Sequence, residues 1–288
     1  MDFIITLVNG VSLGGIYAMI ALGYTMVYGI AKMLNFAHGD IIMVGGYTVL
    51  VFLSVNPIVA VIAATLFCII MGMVVEKLAY SPLRGSSPLA VLITAIGVSY
   101  LLQSLAQIIF GSAAKYVIIA DLGNLTLGNF AISWGTVITL CASFLIMIGL
   151  TVFVKRSKTG RAMIAVSEDK DAARLMGINI NFIITITFAI GSALAALAGV
   201  CSLLRVPSIT PVYGALPGIK AFTAAVIGGI GSIPGAMLGG ILLGIIECIC
   251  NSIPKLAPYT IAIEFAILIV ILLVKPTGIL GKKRREKV

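Results

Sequence analysis

The sequence predicts an all-α integral membrane protein, a polytopic bundle of eight or nine transmembrane helices with a short helix on its cytoplasmic face. Three observations predict it. Of 288 residues, 60% are hydrophobic and only 10% charged, where an ordinary soluble domain carries about 25% charged residues. Such a chain cannot cover a water-facing surface with polar groups, and it is far too apolar to stay disordered. The apolar residues fall into nine runs, near 3–31, 36–55, 57–76, 88–110, 131–154, 182–204, 213–231, 233–250 and 257–274. Most approach the length of about 20 residues that spans a bilayer core. The few charges are gathered, nine in residues 155–174 and seven in residues 275–288. The chain therefore reads as one transmembrane domain, 1–288, with a polar loop at about 155–181.

The runs differ in quality. The first has no Lys or Arg ahead of it and no small-residue cleavage site, and it is about twice as long as a signal-peptide core. It reads as a permanent helix. The 36–55 run starts with polar residues and contains Gly45 and Gly46, and the 213–231 run is short and holds Lys220. Both are weak as full crossings and read as broken or re-entrant, which is tolerated where protein or a cavity surrounds the backbone. Small residues recur at four-residue spacing in Gly191, Ala195 and Gly199, in Gly231, Gly235 and Gly239, and in Gly10 and Gly14. Such rows let helices approach closely. They serve tight packing or, alternatively, sliding surfaces between two states.

Basic residues set the orientation. The tail 275–287 and the loop 155–174 hold six Lys or Arg each, and Lys77, Arg84 and Lys32 fall on the same side. Lys115, Arg205, Lys220 and Lys255 fall on or near the other side. The asymmetry places the loop and the C-terminus in the cytoplasm. Nine crossings would put the N-terminus outside, and eight would put it inside.

Composition also excludes function classes. The formal charge of +9 is confined to one loop and one tail, without an aromatic-interleaved basic patch, which argues against nucleic-acid binding. Cys68, Cys141, Cys201, Cys248 and Cys250 lie in apolar runs without zinc-ligand spacing and read as buried small hydrophobes. With His38 the single histidine, no metal cluster or catalytic triad can be assembled.

The polar loop KRSKTGRAMIAVSEDKDAARLMGININ (155–181) is too structured for a linker. Ser167 is a candidate cap, with Glu168, Asp169 and Asp171 in the first turn, where carboxylates favour the positive end of the helix dipole. Leu175 and Met176 give an apolar edge, and Gly177 is a candidate C-cap. Lys155, Arg156, Lys158 and Arg161 precede this helix and can grip the membrane surface. The loop is either a solvated positive-inside segment or a docking helix for a cytoplasmic partner. No GxxxxGK followed by Ser or Thr occurs, so the chain lacks the phosphate loop of an ATPase.

The stretch EDKDAARLMG (Glu168–Gly177) resembles the coupling loop of ABC-importer permeases, with Ala172 and Ala173 ahead of Gly177. Five further stretches, GYTMVYGI (Gly23–Ile30), NFAHGD (Asn35–Asp40), SPLRGSSPLAVLITAIGVSYLLQ (Ser81–Gln103), KAFTAAVIGGIGSIPGAMLGGILLGIIE (Lys220–Glu247) and KPTGILG (Lys275–Gly281), resemble the branched-chain amino acid permease family across nearly the whole chain. The short termini resemble its H-type rather than its longer M-type subunit. Ser81 departs from the basic residue expected before Pro82. The resemblance implies a second, M-type permease subunit, two cytoplasmic ATP-binding subunits and an extracytoplasmic substrate-binding protein delivering Leu, Ile or Val. It implies no enzyme activity and no cofactor on this chain, ATP and Mg being held by the ATPases. It also implies a bacterial inner-membrane location. Glu168, Asp169, Asp171, Ala172, Ala173 and Gly177 would couple to the ATPase. A binding protein would dock on residues 111–130 and on the loop shaped by Arg205, Pro207, Pro211 and Pro217.

Ionisable residues inside a membrane are costly and invite a functional reading. Asn35, His38 and Asp40 open the second run either as interfacial caps near the cytoplasmic face or as a gate at a broken helix. Glu247 and Glu264, with Lys255 or Lys220 as basic partners, read as a structural ion pair or as part of a translocation pathway. Glu76 and Lys77 read as interfacial anchors. Two alternatives stay open, a urea or short-amide ABC permease and an ion-coupled secondary transporter or channel working alone.

Overall fold

The computed structural model describes residues 2–120, 123–127 and 130–281. Seven helices are long and apolar enough to cross a membrane. They are α1 (Asp2–Ala31), α3 (Pro57–Val75, continued by short turns to Leu83), α4 (Pro88–Phe110), α5 (Trp134–Arg156), α8 (Ile180–Arg205), α10 (Ile233–Ser252) and α11 (Thr260–Val274, preceded by a short turn from Ala257). The two weak runs form shorter apolar helices, α2 (His38–Phe52) and α9 (Ala215–Gly228). Between α5 and α8 lie α6 (Lys158–Glu168) and α7 (Lys170–Leu175). The all-α expectation needs one amendment: β1 (Lys115–Tyr116) pairs with β4 (Ser208–Ile209), and β2 (Asn124–Leu127) with β3 (Phe130–Ser133), both antiparallel. Thus the two loops expected on the outer face are stitched together.

Local signals explain most helix starts. Asn56, Ser87, Ser133, Ser157, Asn179 and Ser232 each accept a backbone N–H with the side chain at an N-cap, relieving the unpaired donors of the first turn. Pro57, Pro88 and Pro234 fill early positions that need no N–H. Helices α2 and α9 lack a side-chain cap. They begin inside the bundle, packed against other helices.

Glycine rows bring backbones together. A Cβ on Gly14 would strike the Ile241 backbone, and one on Gly244 would strike Gly14. The rows at Gly10 and Gly14 and at Gly240 and Gly244 thus form one α1–α10 contact, as close-approach packing requires. Helices α8 and α1 are the most buried of the spans, and α11 and α4 the most exposed.

The packing has an internal symmetry. Helices α1 to α4 correspond to α8 to α11: α1 packs on α10 as α8 packs on α3, and α2 meets α8 as α9 meets α1. The two sets run in opposite directions. Arg205 at the end of α8 donates to the Asn9 carbonyl near the start of α1 at 3.2 Å, while Lys170, just before α8, donates to the carbonyl of Ala31 at the end of α1 at 3.1 Å. This is an inverted repeat, a common plan of membrane transport proteins. Helix α5 stands outside it, against α1 and α8.

Candidate translocation and coupling sites

Helix α1 runs on to Ala31, and the chain then turns at Lys32, which adopts a left-handed backbone with φ of 61°. It returns non-helically to His38, whose imidazole fills the space beside Gly23 of α1. Gly23 is eight residues before Ala31, so α2 starts about 12 Å deep at 1.5 Å per residue. Helix α9 starts at the same place. A Cβ on Gly39 would lie 2.6 Å from the Gly214 carbonyl oxygen, and a Cβ on Gly214 would collide with the Gly39 carbonyl. Two half-helices therefore meet with their N-terminal ends and leave in opposite directions. Only glycine permits backbones so close.

The expected site residues divide around this junction. His38 and Asp40 are each 1% exposed, buried by protein on all sides. His38 does not cap α2, since Ala37 holds that position; its ring lies edge-on to Tyr24 at 4.8 Å. Asp40 accepts from Gln103 of α4 at 2.9 Å. Asn35 accepts from the Tyr80 hydroxyl at 2.8 Å, tying the re-entrant segment to the turn after α3. Glu247 and Glu264 meet at Lys220, not Lys255: the ammonium lies 2.7 Å from Glu247 Oε1 and 3.3 Å from Glu264 Oε2. The Tyr17 hydroxyl donates to Glu247 Oε2 at 2.7 Å. This cluster joins α1, α9, α10 and α11. A buried charge group of this kind is tolerated only when paired and hydrogen-bonded.

A second polar network lies at the basic end. Glu76 is 2% exposed and is no surface anchor. It is ion-paired with Arg84, which also donates to Asn181, and it accepts from Thr185 at 2.9 Å. The turn after α3 is thereby locked to the start of α8.

The loop 155–181 holds two helices where one was expected. Helix α6 takes up Lys158 and Arg161 and ends at Glu168. Ser167 is not a cap; its hydroxyl donates back to the Ile164 carbonyl at 2.7 Å. Asp169 is the cap of α7, accepting from the N–H groups of Asp171 and Ala172 at 3.0 Å each. Of the acidic residues, Asp171 alone lies in the first turn of α7. The reason is that α6 runs on through Ser167, so the Asp169 N–H is held by the Ala165 carbonyl and the unpaired amides of the next helix lie within reach of the 169 carboxylate. Gly177 does end the helix, with φ of 79°. Its N–H bonds the Arg174 carbonyl and that of Ile178 bonds the Ala173 carbonyl, the paired pattern of a Schellman motif. Ala172 is exposed and Ala173 buried, while Leu175 and Met176 are 89% and 82% exposed. Burial, with the Arg84 guanidinium nearby, holds the Lys170 ammonium below the ordinary lysine range. The result is a short capped helix that ends in two exposed apolar side chains.

Lys32, Arg84, the loop and Lys275 all lie at this end, while Lys115 is on the stitched loops at the other. Residues 282–287 of the basic tail lie outside the described residues. Among the described residues, no three His, Cys, Asp or Glu side chains converge as a metal site.

The sequence profile of the family described as "Branched-chain amino acid transport system / permease component" matches residues 6–272. The chain belongs to this family. It is 45% identical to the high-affinity branched-chain amino acid transport system permease protein BraD of Pseudomonas aeruginosa, over 98% of this chain and 97% of that one. It is 41% identical to LivH of Escherichia coli K12, described in the same words, over 99% and 98% of the two chains. The structure of PsaBC from Streptococcus pneumoniae in complex with Fab aligns with a TM-score of 0.53 at 15% identity, over 96% of this chain and 92% of that one, so the two share a fold.

Proposed function

We propose that the chain is a permease subunit of an ATP-driven importer that moves leucine, isoleucine and valine into a bacterial cell. The observation that carries this reading is kinship over nearly the full length with permease proteins named for branched-chain amino acid transport. In this reading the protein crosses the cytoplasmic membrane nine times, two of the crossings being completed by the half-helices α2 and α9, with loop 155–181 and the C-terminus inside. A second, M-type permease subunit completes the pathway, two ATP-binding subunits attach below, and a binding protein docks on the stitched outer loops. Helix α7 is the coupling helix: Leu175 and Met176 enter an apolar cleft of the ATPase, and Asp169 and Gly177 fix the angle at which they enter. ATP binding in the partner favours one of two permease states, and α7 carries that preference into the bundle. The half-helix junction, with Asn35, His38 and Asp40 on one side and Lys220, Glu247 and Glu264 on the other, lies along the pathway.

The test is ATP-dependent uptake of labelled leucine by proteoliposomes holding this chain with all its partners. Wild type is compared with Glu168→Lys and Gly177→Asp. Uptake that needs every partner and collapses in both variants, with insertion unchanged, supports the reading. Flux through this chain alone, indifferent to the loop, sinks it in favour of a secondary transporter or channel. Partner-dependent uptake of urea or amides, without leucine, keeps the mechanism and changes the substrate.

A further inference from the structure

A cavity of about 300 Å³ lies between α4 and the half-helix junction. Its volume is at the lower end of the roughly 300–1,000 Å³ of small-molecule sites. One face of α4 supplies most of the wall. Leu92, Ile96, Ser99 and Gln103 recur at helical spacing, and Phe36, in the turn before α2, and Ala215, at the start of α9, line the opposite side of what is an open-sided cleft. The wall has two characters. Leu92, Ile96, Phe36 and Tyr100 offer apolar and aromatic surface, and Ser99 and Gln103 lie together at 3.2 Å.

The orientation of Gln103 is fixed by chemistry. A carboxylate accepts and does not donate, so the group facing Asp40 must be the amide nitrogen. Its Nε2 also points at Ser99. Among the described residues the carbonyl Oε1 has no hydrogen-bond partner, leaving an acceptor at the cavity with the Asp40 carboxylate directly behind it. That pair favours a cation. The helix N-termini supply little to an anion: the Ala215 and Gly218 amides are taken by Val212 and Gly214, and Pro217 has none.

We propose that this cavity is a transit subsite for an amino acid with an apolar side chain, resting on the importer reading above. The ammonium group binds Gln103 Oε1 under the field of Asp40, and the side chain lies against Leu92, Ile96 and Phe36. The contacts are few, so the subsite holds its cargo weakly, as a path must. A second carboxylate on the cargo would be repelled by Asp40, which gives the membrane domain its own discrimination against acidic amino acids.

The experiment uses the complete reconstituted transporter. Ser99→Cys is modified with a charged methanethiosulfonate reagent, alone, with free leucine or with free glutamate. The account predicts that leucine slows modification, by about tenfold at ten times its dissociation constant, and that glutamate does not. In parallel, Ile96→Trp fills the cavity, and Leu89→Trp places the same bulk on an exposed position of α4 (Leu89 is 64% exposed). Ile96→Trp should lose most leucine uptake while the complex still assembles, and Leu89→Trp should retain uptake. If wild type transports leucine, yet leucine leaves Ser99→Cys unprotected and Ile96→Trp transports normally, the subsite is wrong and the importer reading stands. If wild type moves no leucine, both fall.

Discussion

The two half-helices leave one junction in opposite directions, yet they are held by different chemistry. Helix α2 is tied to α4 through Asp40, which accepts from Gln103 at 2.9 Å and from the Ser99 hydroxyl. Helix α9 is tied to α11, the counterpart of α4 in the repeat, through Lys220, with Glu247, Glu264 and Tyr17 gathered round it. The first link has one charge and two neutral donors, Ser99 and Gln103. The second has three charges, none of which can leave without exposing the others to a dry interior. The difference teaches how far the repeat extends. The inverted repeat makes the backbone nearly symmetric, while the side chains make its two links unequal: neutral donors on one carboxylate between α2 and α4, and an ion cluster among α9, α10 and α11.

The comparison can be broken at several points. The largest effect is expected for Lys220→Met, which leaves two carboxylates without their cation. Breaking such a group costs about 3–5 kcal/mol, seen as loss of folded protein in detergent melts. Adding Glu264→Gln should recover part of that loss, because the repulsion is relieved. Gly214→Val comes next. Its Cβ meets the Gly39 carbonyl, backbone that cannot swing aside, and overpacking costs about 1–3 kcal/mol. A smaller effect is expected for Gly177→Ala, at about 1–2 kcal/mol for a left-handed alanine. It should appear as weaker stimulation of the partner ATPase rather than as lost insertion. The smallest is Asp40→Asn, at about 1 kcal/mol or less, since an amide can still pair with Gln103. Melts of the four variants that fall in another order, with Asp40→Asn as harmful as Lys220→Met, would erase the claimed asymmetry.

Much of this plan was legible in the sequence. The 36–55 and 213–231 runs announced their half-crossings through length, Gly45, Gly46, Lys220 and the polar NFAHGD start, because a full crossing cannot afford such residues. The end of α7 was legible because Gly177 supplies a local backbone conformation. The start was misjudged by two residues, since Ser167 and Asp169 are both good caps and only the geometry chooses between them. Distant partners were not legible. Gln103, Tyr80 and Tyr17 sit in apolar stretches and look like ordinary packing residues. Each finds its acceptor 45 to 230 positions away, a distance over which no spacing rule applies. The same holds for Glu76, which looked like an anchor until Arg84 and Thr185 closed over it. The stitched loops were hidden too, because β1 and β4 are two residues each.

The central proposal is that the junction of α2 and α9 lies on the transport path. Phe36, just ahead of α2, and Ala215, at the start of α9, line one cavity, so the direct measurement joins them. Phe36→Cys and Ala215→Cys are combined in the reconstituted transporter and linked by a short bifunctional thiol reagent, with the unsubstituted chain treated alike. The account predicts that linking stops ATP-driven leucine uptake and that a reducible linker restores it once cut. Uptake continuing at the unlinked rate after complete linking would contradict it.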